Sequence, residues 1–275
     1  MKSLVLISGA AGGLGKAFAV ECASRGWDLF LTDVHGEALE VLANSLRGTY
    51  GVDVQAGVCD LADQSSRAAF FSELGGRRLH FWALINVAGV DFEGPFFEQS
   101  LPQLRTILRL NLEGTLEMTH AIMGLRDPYR TLRIINVASL AAFSPMPVKA
   151  AYAASKRFLL DFSQALGEEV RSLGATVTAL CPAGMPTTPE NIEAITAQGW
   201  IGQMTTQDTG AVAAGTLDAA LRGKRVYIPG ALNQMIRLLS NLMPPGWSAY
   251  WIHRRWTAAR RKRPSLRAEL AFRSR

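Results

Sequence analysis

No stretch of the chain is both long and apolar enough to span a bilayer. The most hydrophobic opening, Leu4-Val5-Leu6-Ile7 after Met1-Lys2, is too short for the core of a signal peptide and runs straight into glycines without a cleavage-like segment. It reads as a buried first strand. Cysteine is scarce: Cys22, Cys59 and Cys181 are scattered, odd in number and without a C-x-x-C pair. That excludes a disulfide framework and suits reduced packing residues of a cytosolic protein. His35, His80, His120 and His253 are far apart and lack ligand spacing, so no metal site is expected. There is no internal repeat and no low-complexity linker. Charged residues make up 19% against 48% hydrophobic, which excludes disorder; 275 residues fit one globular domain of α/β size with ample core.

Acidic residues are nearly missing from one end. From Trp251 to Arg275 there are nine Lys/Arg and one Glu, while the other 250 residues carry 20 basic and 22 acidic groups. The net charge of +6 therefore belongs to a tail. The body, at about −2, offers no basic face, so no nucleic-acid partner is expected.

What is present begins with Tyr152-Ala153-Ala154-Ser155-Lys156, which puts a phenol and an ammonium one helical turn apart on one face. A free tyrosine titrates near pH 10. A neighbouring ammonium stabilises the phenolate and moves that value toward neutrality, giving a group that can donate and accept a proton. At the other end, Ser3–Ile7 reads as a strand buried on both faces. Ser8-Gly9-Ala10-Ala11-Gly12-Gly13-Leu14-Gly15 follows, then a helix from about Lys16 to Ser24. A strand, a glycine turn and a helix N-terminus form an anion site of backbone amides. Asp28–Asp33 reads as a second strand ending in an acid, which can accept hydrogen bonds from ribose hydroxyls and repels a 2′-phosphate.

The spacing of Gly9, Gly13 and Gly15, G-x-x-x-G-x-G, resembles the short-chain dehydrogenase/reductase family. The resemblance covers about residues 3 to 230 and is carried further by Asn86-Val87-Ala88-Gly89, similar to the family's Asn-Asn-Ala-Gly, by Asn111 with Gly114, and by Ser139, thirteen residues before Tyr152. It implies a doubly wound, Rossmann-type parallel sheet of about seven strands in a single α/β domain, residues 1–230, with a C-terminal helical extension, 231–275. It implies that Asn111, Ser139, Tyr152 and Lys156 are catalytic: Asn111 holds a water, Ser139 binds the substrate oxygen, Tyr152 exchanges the proton, and Lys156 lowers the tyrosine pKa and binds the nicotinamide ribose. Cofactor contacts fall on Gly9, Ala11, Gly13, Leu14 and Gly15, on Asp33, on Asp60 and Leu61 near the adenine, on Asn86, Ala88 and Gly89, on Tyr152 and Lys156, and on Pro182 and Gly184. The family's Pro-Gly is Pro182-Ala183-Gly184 here, so its following threonine is Thr187 or Thr188.

The implied reaction is hydride transfer between nicotinamide and a secondary alcohol or ketone, the alternative being a cofactor-binding sensor or scaffold without catalysis. Asp33 favours NAD(H); Lys16 and His35 nearby leave NADP(H) as the second choice. An apolar lid with Ile192, Ile195, Trp200, Ile201 and Met204 suits a lipid- or steroid-like substrate, or else packs the lid onto the body. A homo-oligomer pairing helices of about 101–125 and 150–173 is implied. In the extension, Leu232, Met235, Ile236, Leu239 and Leu242 fall on one side of a helix and Asn233, Gln234, Arg237, Ser240 and Asn241 on the other, with Pro244-Pro245-Gly246 breaking it. Trp247, Tyr250, Trp251 and Trp256 then stand beside Arg254, Arg255, Arg260, Arg261, Lys262 and Arg263, a composition suited to the headgroups of an anionic membrane. The first helix packing on the body or on a partner subunit is the competing reading. The expected location is cytoplasmic and peripheral to a membrane.

Overall fold

The computed structural model describes residues 2–187, 189–197 and 204–260. Strands β1 (Ser3–Ser8), β2 (Leu29–Asp33), β3 (Val54–Val58), β4 (His80–Asn86), β5 (Leu132–Val137), β6 (Ala175–Leu180) and β7 (Val226–Tyr227) form one sheet in the order β3-β2-β1-β4-β5-β6-β7. All neighbours are parallel. Ser8 pairs with both Thr32 and Asn86, and Asn86 with Asn136, so four carboxyl ends lie level. The winding reverses between β1 and β4, and a crevice opens there at the carboxyl edge.

Helices α1 (Gly13–Ser24), α2 (Gly36–Tyr50), α3 (Gln64–Gly76), α4 (Leu101–Leu108), α5 (Thr115–Gly124), α6 (Ala150–Glu169), α7 (Pro189–Ala197), α8 (Thr209–Leu221), α9 (Ala231–Leu242) and α10 (Pro245–Arg260) complete the described elements. The strands are apolar on both faces because both are covered. Val5, Ile7, Leu29, Leu31 and Ile85 meet α1 and α8 through Phe18, Val212 and Leu217 on one side. Leu4, Leu6, Phe30, Phe81 and Leu84 meet Phe70, Leu74, Met118 and Ile122 on the other. Asp63 and Asp208 cap α3 and α8 by accepting from Ser66 N (2.7 Å) and Ala211 N (2.8 Å), as their positions ahead of the apolar runs predict.

Several boundaries differ from the sequence reading. Helix α1 starts at Gly13, because Lys16 N already donates to Gly12 O (2.8 Å), so two of the glycines are helical. The helix from Leu101 to Gly124 is continuous but widens into π-turns at Arg109–Gly114, the segment that carries Asn111. π-bulges of this kind cluster at functional sites. Helix α6 ends at Glu169 rather than near Leu173. The break expected at Pro244-Pro245-Gly246 is present: α9 ends at Leu242, Met243 is extended, and Pro245 takes the first position of α10, where its missing N–H costs nothing. Arg67, which the sequence does not single out, is 1% exposed; it clasps Glu117 through Nε (2.7 Å) and Nη2 (2.9 Å), reaches Glu113 (3.2 Å) and donates to Leu61 O (2.8 Å), tying α3 to the π-segment.

Helix α9 packs on the body, the competing reading, through a mixed stripe: Asn233 is buried and donates to Pro229 O (3.0 Å), while the exposed Gln234 donates to Ile228 O (3.0 Å) and the exposed Arg237 guanidinium lies 5.2 Å from the Phe143 ring. Leu232 and Ile236 are half-buried, while Met235, Leu238 and Leu239 are exposed. The side chains of Asn241, Leu242 and Arg260, and residues Thr188, Trp200, Ile201 and Arg261 to Arg263, lie outside what the structure describes.

Candidate active site

The glycine turn explains its own composition. Gly9 leaves β1 at φ +66°, and a Cβ there would lie 2.7 Å from Ala88 N. A Cβ on Gly15 would lie 2.0 Å from Gly9 O, so the helix can approach the turn only without a side chain. Gly12 precedes α1 without a side-chain cap, and no acid stands in the first turn. The amide groups there are left for an anion, aided by the helix dipole. A Cβ on Gly13 would meet Thr187 Cγ2 at 2.8 Å. The loop after β6 thus folds back over the turn, and Thr187 stands against it; Thr188 lies outside the described residues.

Asp33 lies at the crevice. Its carboxylate accepts from Ala11 N (2.9 Å) and from His35 N (3.0 Å), and it is only half-buried. Asp60 is exposed at the end of the next strand, where it accepts from Ala62 N (2.8 Å). Leu14 and Leu61 are buried in the two core layers, so only their backbones can line the crevice. Asn86 likewise turns inward, donating to Asn136 Oδ1 (2.8 Å) and Thr119 Oγ1 (3.1 Å). Its side chain braces the sheet, and the turn that follows, Ala88-Gly89, forms the cradle. Pro182 O accepts from Leu140 N (2.8 Å), joining the turns after β5 and β6. Gly184 is exposed and faces the lid, 3.4 Å from Ile195 Cγ1 for a Cβ placed on it. These features fit a dinucleotide: uncapped amides for its diphosphate, an accessible acid for a ribose, and glycines where a flat ring would need room.

The four sequence-predicted polar residues converge beside this cradle. Tyr152 and Lys156 share one face of α6, with Lys156 Nζ 5.7 Å from the tyrosine ring centroid. Lys156 is 4% exposed and donates to Val137 O (2.8 Å). Ser139, at the carboxyl end of β5, accepts from Ala141 N (3.1 Å) and its side chain hydrogen-bonds the Tyr152 phenol. Asn111 is fully buried; its Oδ1 accepts from Val90 N (2.8 Å), while its Nδ2 donates to Val90 O (3.1 Å) and Ser155 Oγ (3.1 Å). Ser155 in turn donates to Tyr152 O (2.7 Å). Both amide hydrogens of Asn111 are thereby engaged in clamping the β4 loop to α6.

The electrostatics depart from the sequence reading. Burial pushes the Tyr152 phenol well above the ordinary tyrosine range, the nearby Asp91 carboxylate adds to this, and the Ser139 hydrogen bond works the other way. Burial also lowers Lys156 to about 8, against the opposing pull of Asp91 and Cys181. The expected lowering of Tyr152 by Lys156 is therefore absent from the free chain: the ammonium is directed to the Val137 carbonyl, and desolvation of the phenolate outweighs it. The sequence reading also missed Asp91, Glu93 and Lys149, which form ion pairs beside Tyr152. The one available signal was Lys149, three residues before Tyr152 and placed just ahead of its helix. Trp256, whose ring is 5.1 Å from Lys149 Nζ, comes from the far end of the chain and carried no signal.

A family model described as short chain dehydrogenase matches residues 3–197, and the chain belongs to that family. The very-long-chain 3-oxoacyl-CoA reductase of Laccaria bicolor is 33% identical over 180 residues, 64% of this chain and 52% of that one, so the chain spans about half the length of that relative. Among solved structures, the bulky-bulky ketone specific alcohol dehydrogenase of Comamonas testosteroni superposes with a TM-score of 0.72 at 26% identity, over 88% of this chain and 93% of that one. A short-chain dehydrogenase from Sphingobium yanoikuyae in complex with NADPH gives 0.69 at 26% identity, over 88% and 96%.

Proposed function

We propose that the chain is an NAD(P)-dependent oxidoreductase interconverting a ketone and a secondary alcohol. The observation that carries this reading is the meeting of Ser139, Tyr152 and Lys156 beside Gly89, at the same sheet edge as the uncapped glycine turn. The cofactor, when bound, supplies or takes up the hydride. The chain's own residues orient the carbonyl and manage its proton. The bond to Ala141 N uses only a lone pair of Ser139, so its hydroxyl hydrogen can turn from the Tyr152 phenol to the substrate oxygen. Tyr152 gives its proton to the same oxygen. A phenol pushed upward in pKa stays protonated at neutral pH, which suits the reducing direction. Asn111 keeps Val90, and with it the Gly89 turn, in register with α6. A hydrophobic substrate, a bulky or lipid-like ketone, is supported by Ile195 against Gly184 and by the exposed Ile192 and Met204 at the lid. Replacing Tyr152 with Phe keeps the ring and removes the proton. Turnover should fall by about 10²-fold or more with NADH binding intact; retention of a tenth of kcat would sink the assignment.

We read the cofactor as NAD(H). The Asp33 carboxylate, held by Ala11 and His35 at the crevice, would face a 2′-phosphate. Wild-type kcat/KM should favour NADH over NADPH, and Asp33→Ala should narrow the ratio by about tenfold, one charge interaction's worth of about 1.4 kcal/mol. A wild-type preference for NADPH contradicts this.

We assign residues 1–230 to the oxidoreductase domain and 231–275 to an extension that docks on an anionic membrane. Met235, Leu238 and Leu239 are exposed on α9, and Trp247, Tyr250 and Trp251 are exposed on α10, where Arg254 lies against Tyr250 and Trp251. Such a patch, apolar and aromatic beside cations, matches a charged lipid interface. Among the described residues no helix is long and apolar enough to cross a membrane. Co-sedimentation with vesicles containing anionic lipid should weaken as salt rises, and also on Trp247→Ala/Trp251→Ala substitution. Equal binding by wild type and variant would rule the patch out. The exposed Leu101, Leu108 and Phe158 on α4, the π-segment's approach and α6 support a two-fold homo-oligomer through those helices; light scattering that shows only monomer at micromolar concentration would exclude it.

A further inference from the structure

Two lysines flank the Tyr152 ring, each with its Nζ 5.7 Å from the centroid. One is Lys156, held by the Val137 carbonyl. The other is Lys149, whose side chain is 14% exposed and which pairs with Asp91 and, at 3.6 Å, with Glu93. Both carboxylates come from the loop after β4, the loop that Asn111 clamps at Val90. Lys149 also lies 5.1 Å from the Trp256 ring, so α10 covers this ion pair on a further side. The charged and titratable groups around the phenol are thus Asp91 and Glu93 from the β4 loop, Lys149 just before α6, Lys156 from α6, and Cys181 after β6, with Arg237 from α9 acting on Cys181. The Asp91–Lys149 ion pair thus sits beside the Tyr152 ring, on the loop that Asn111 clamps to α6.

We propose that Asp91 is a positioning residue of the reaction: held by Lys149, it sets the charge that Tyr152 and Lys156 face, and Lys149 moderates it. Asp91 acts through these two residues without touching the reacting atoms. Its direction is defined. A nearby carboxylate stabilises the Lys156 ammonium and disfavours the Tyr152 phenolate, so it keeps both groups protonated and favours a proton-donating tyrosine. Burial acts on the two groups in opposite senses, down for lysine and up for tyrosine. The carboxylate therefore compensates the lysine for its burial while reinforcing the tyrosine's.

The assignment rests on the reading of Tyr152 and Lys156 as the acid–base pair, but it can be tested without turnover. The chain has six lysines, Lys2, Lys16, Lys149, Lys156, Lys224 and Lys262, few enough for each 13Cε signal to be followed against pH in the full-length protein. Lys156, identified by loss of its signal in Lys156→Arg, should titrate near 8. Asp91→Asn should lower that midpoint by about half a unit to one unit, the effect of one charge several ångströms away at an effective dielectric of about 20 to 40. Lys149→Met should raise it, because the Asp91 charge is then unmoderated. Asp91→Glu should restore the wild-type value. A purely structural role gives a different pattern: loosening the loop admits water and raises the Lys156 midpoint in both Asp91→Asn and Lys149→Met. An unchanged or raised midpoint in Asp91→Asn, or a lowered one in Lys149→Met, overturns the proposal. Opposite shifts in a chain that reduces no ketone would defeat the catalytic reading and leave the electrostatic one standing.

Discussion

Lys156 and Asn111 meet above Gly89. A Cβ on that glycine would lie 3.2 Å from Asn111 Oδ1 and 3.3 Å from Lys156 Nζ, closer than side chains ordinarily approach. The missing side chain lets three elements converge: the turn after β4, the π-segment and α6. With that contact made, Asn111 can bond Val90 through both its oxygen and its nitrogen, and Lys156 can reach the Val137 carbonyl across the end of β5. The close approach also buries Asn111 and Lys156. Desolvation then becomes the leading influence on both Tyr152 and Lys156, ahead of any charge between them.

The cradle and the proton-handling residues are consequently parts of one construction. Gly9 against Ala88, Gly15 against Gly9 and Gly89 against Lys156 are successive close approaches along a single crevice, the first two closed to any side chain and the third tight for one. The parallel register brings them to one level, since Ser8, Thr32, Asn86 and Asn136 pair across four strands. Asn86 and Asn136 then use their side chains to bond one another inside the sheet, which stiffens the floor beneath the crevice. The winding reversal supplies the opening and the glycines supply the clearance.

Much of this was legible in the sequence because it rests on local rules. Apolar strand runs, glycines at fixed spacing, an acid closing β2 and a Tyr–Lys pair one turn apart each have a short-range cause. So do the caps at Asp63 and Asp208. What escaped depends on contacts between distant segments. Arg67 looks like a surface residue of α3 until Glu113 and Glu117 arrive from another helix. Lys149 and Asp91 are 58 residues apart, and Trp256 joins them from the extension. The two-sided pattern of α9 is legible in the sequence, but its seat on the body is not: Asn233 and Gln234 find carbonyls at Pro229 and Ile228, partners that no periodicity names. The expected lowering of the Tyr152 pKa failed for a related reason: a one-turn spacing fixes the neighbour but says nothing of burial.

Following the reacting hydrogen tests the central claim most directly. The protein would be incubated with nicotinamide cofactor deuterated at the transferable position and with a panel of bulky and acyl-chain ketones, and the alcohol products weighed by mass spectrometry. The account predicts a product carrying one deuterium on the former carbonyl carbon, formed by wild type and lost in Tyr152→Phe. Saturable cofactor binding with no labelled product from any ketone would contradict it, and would make the crevice a binding site without chemistry.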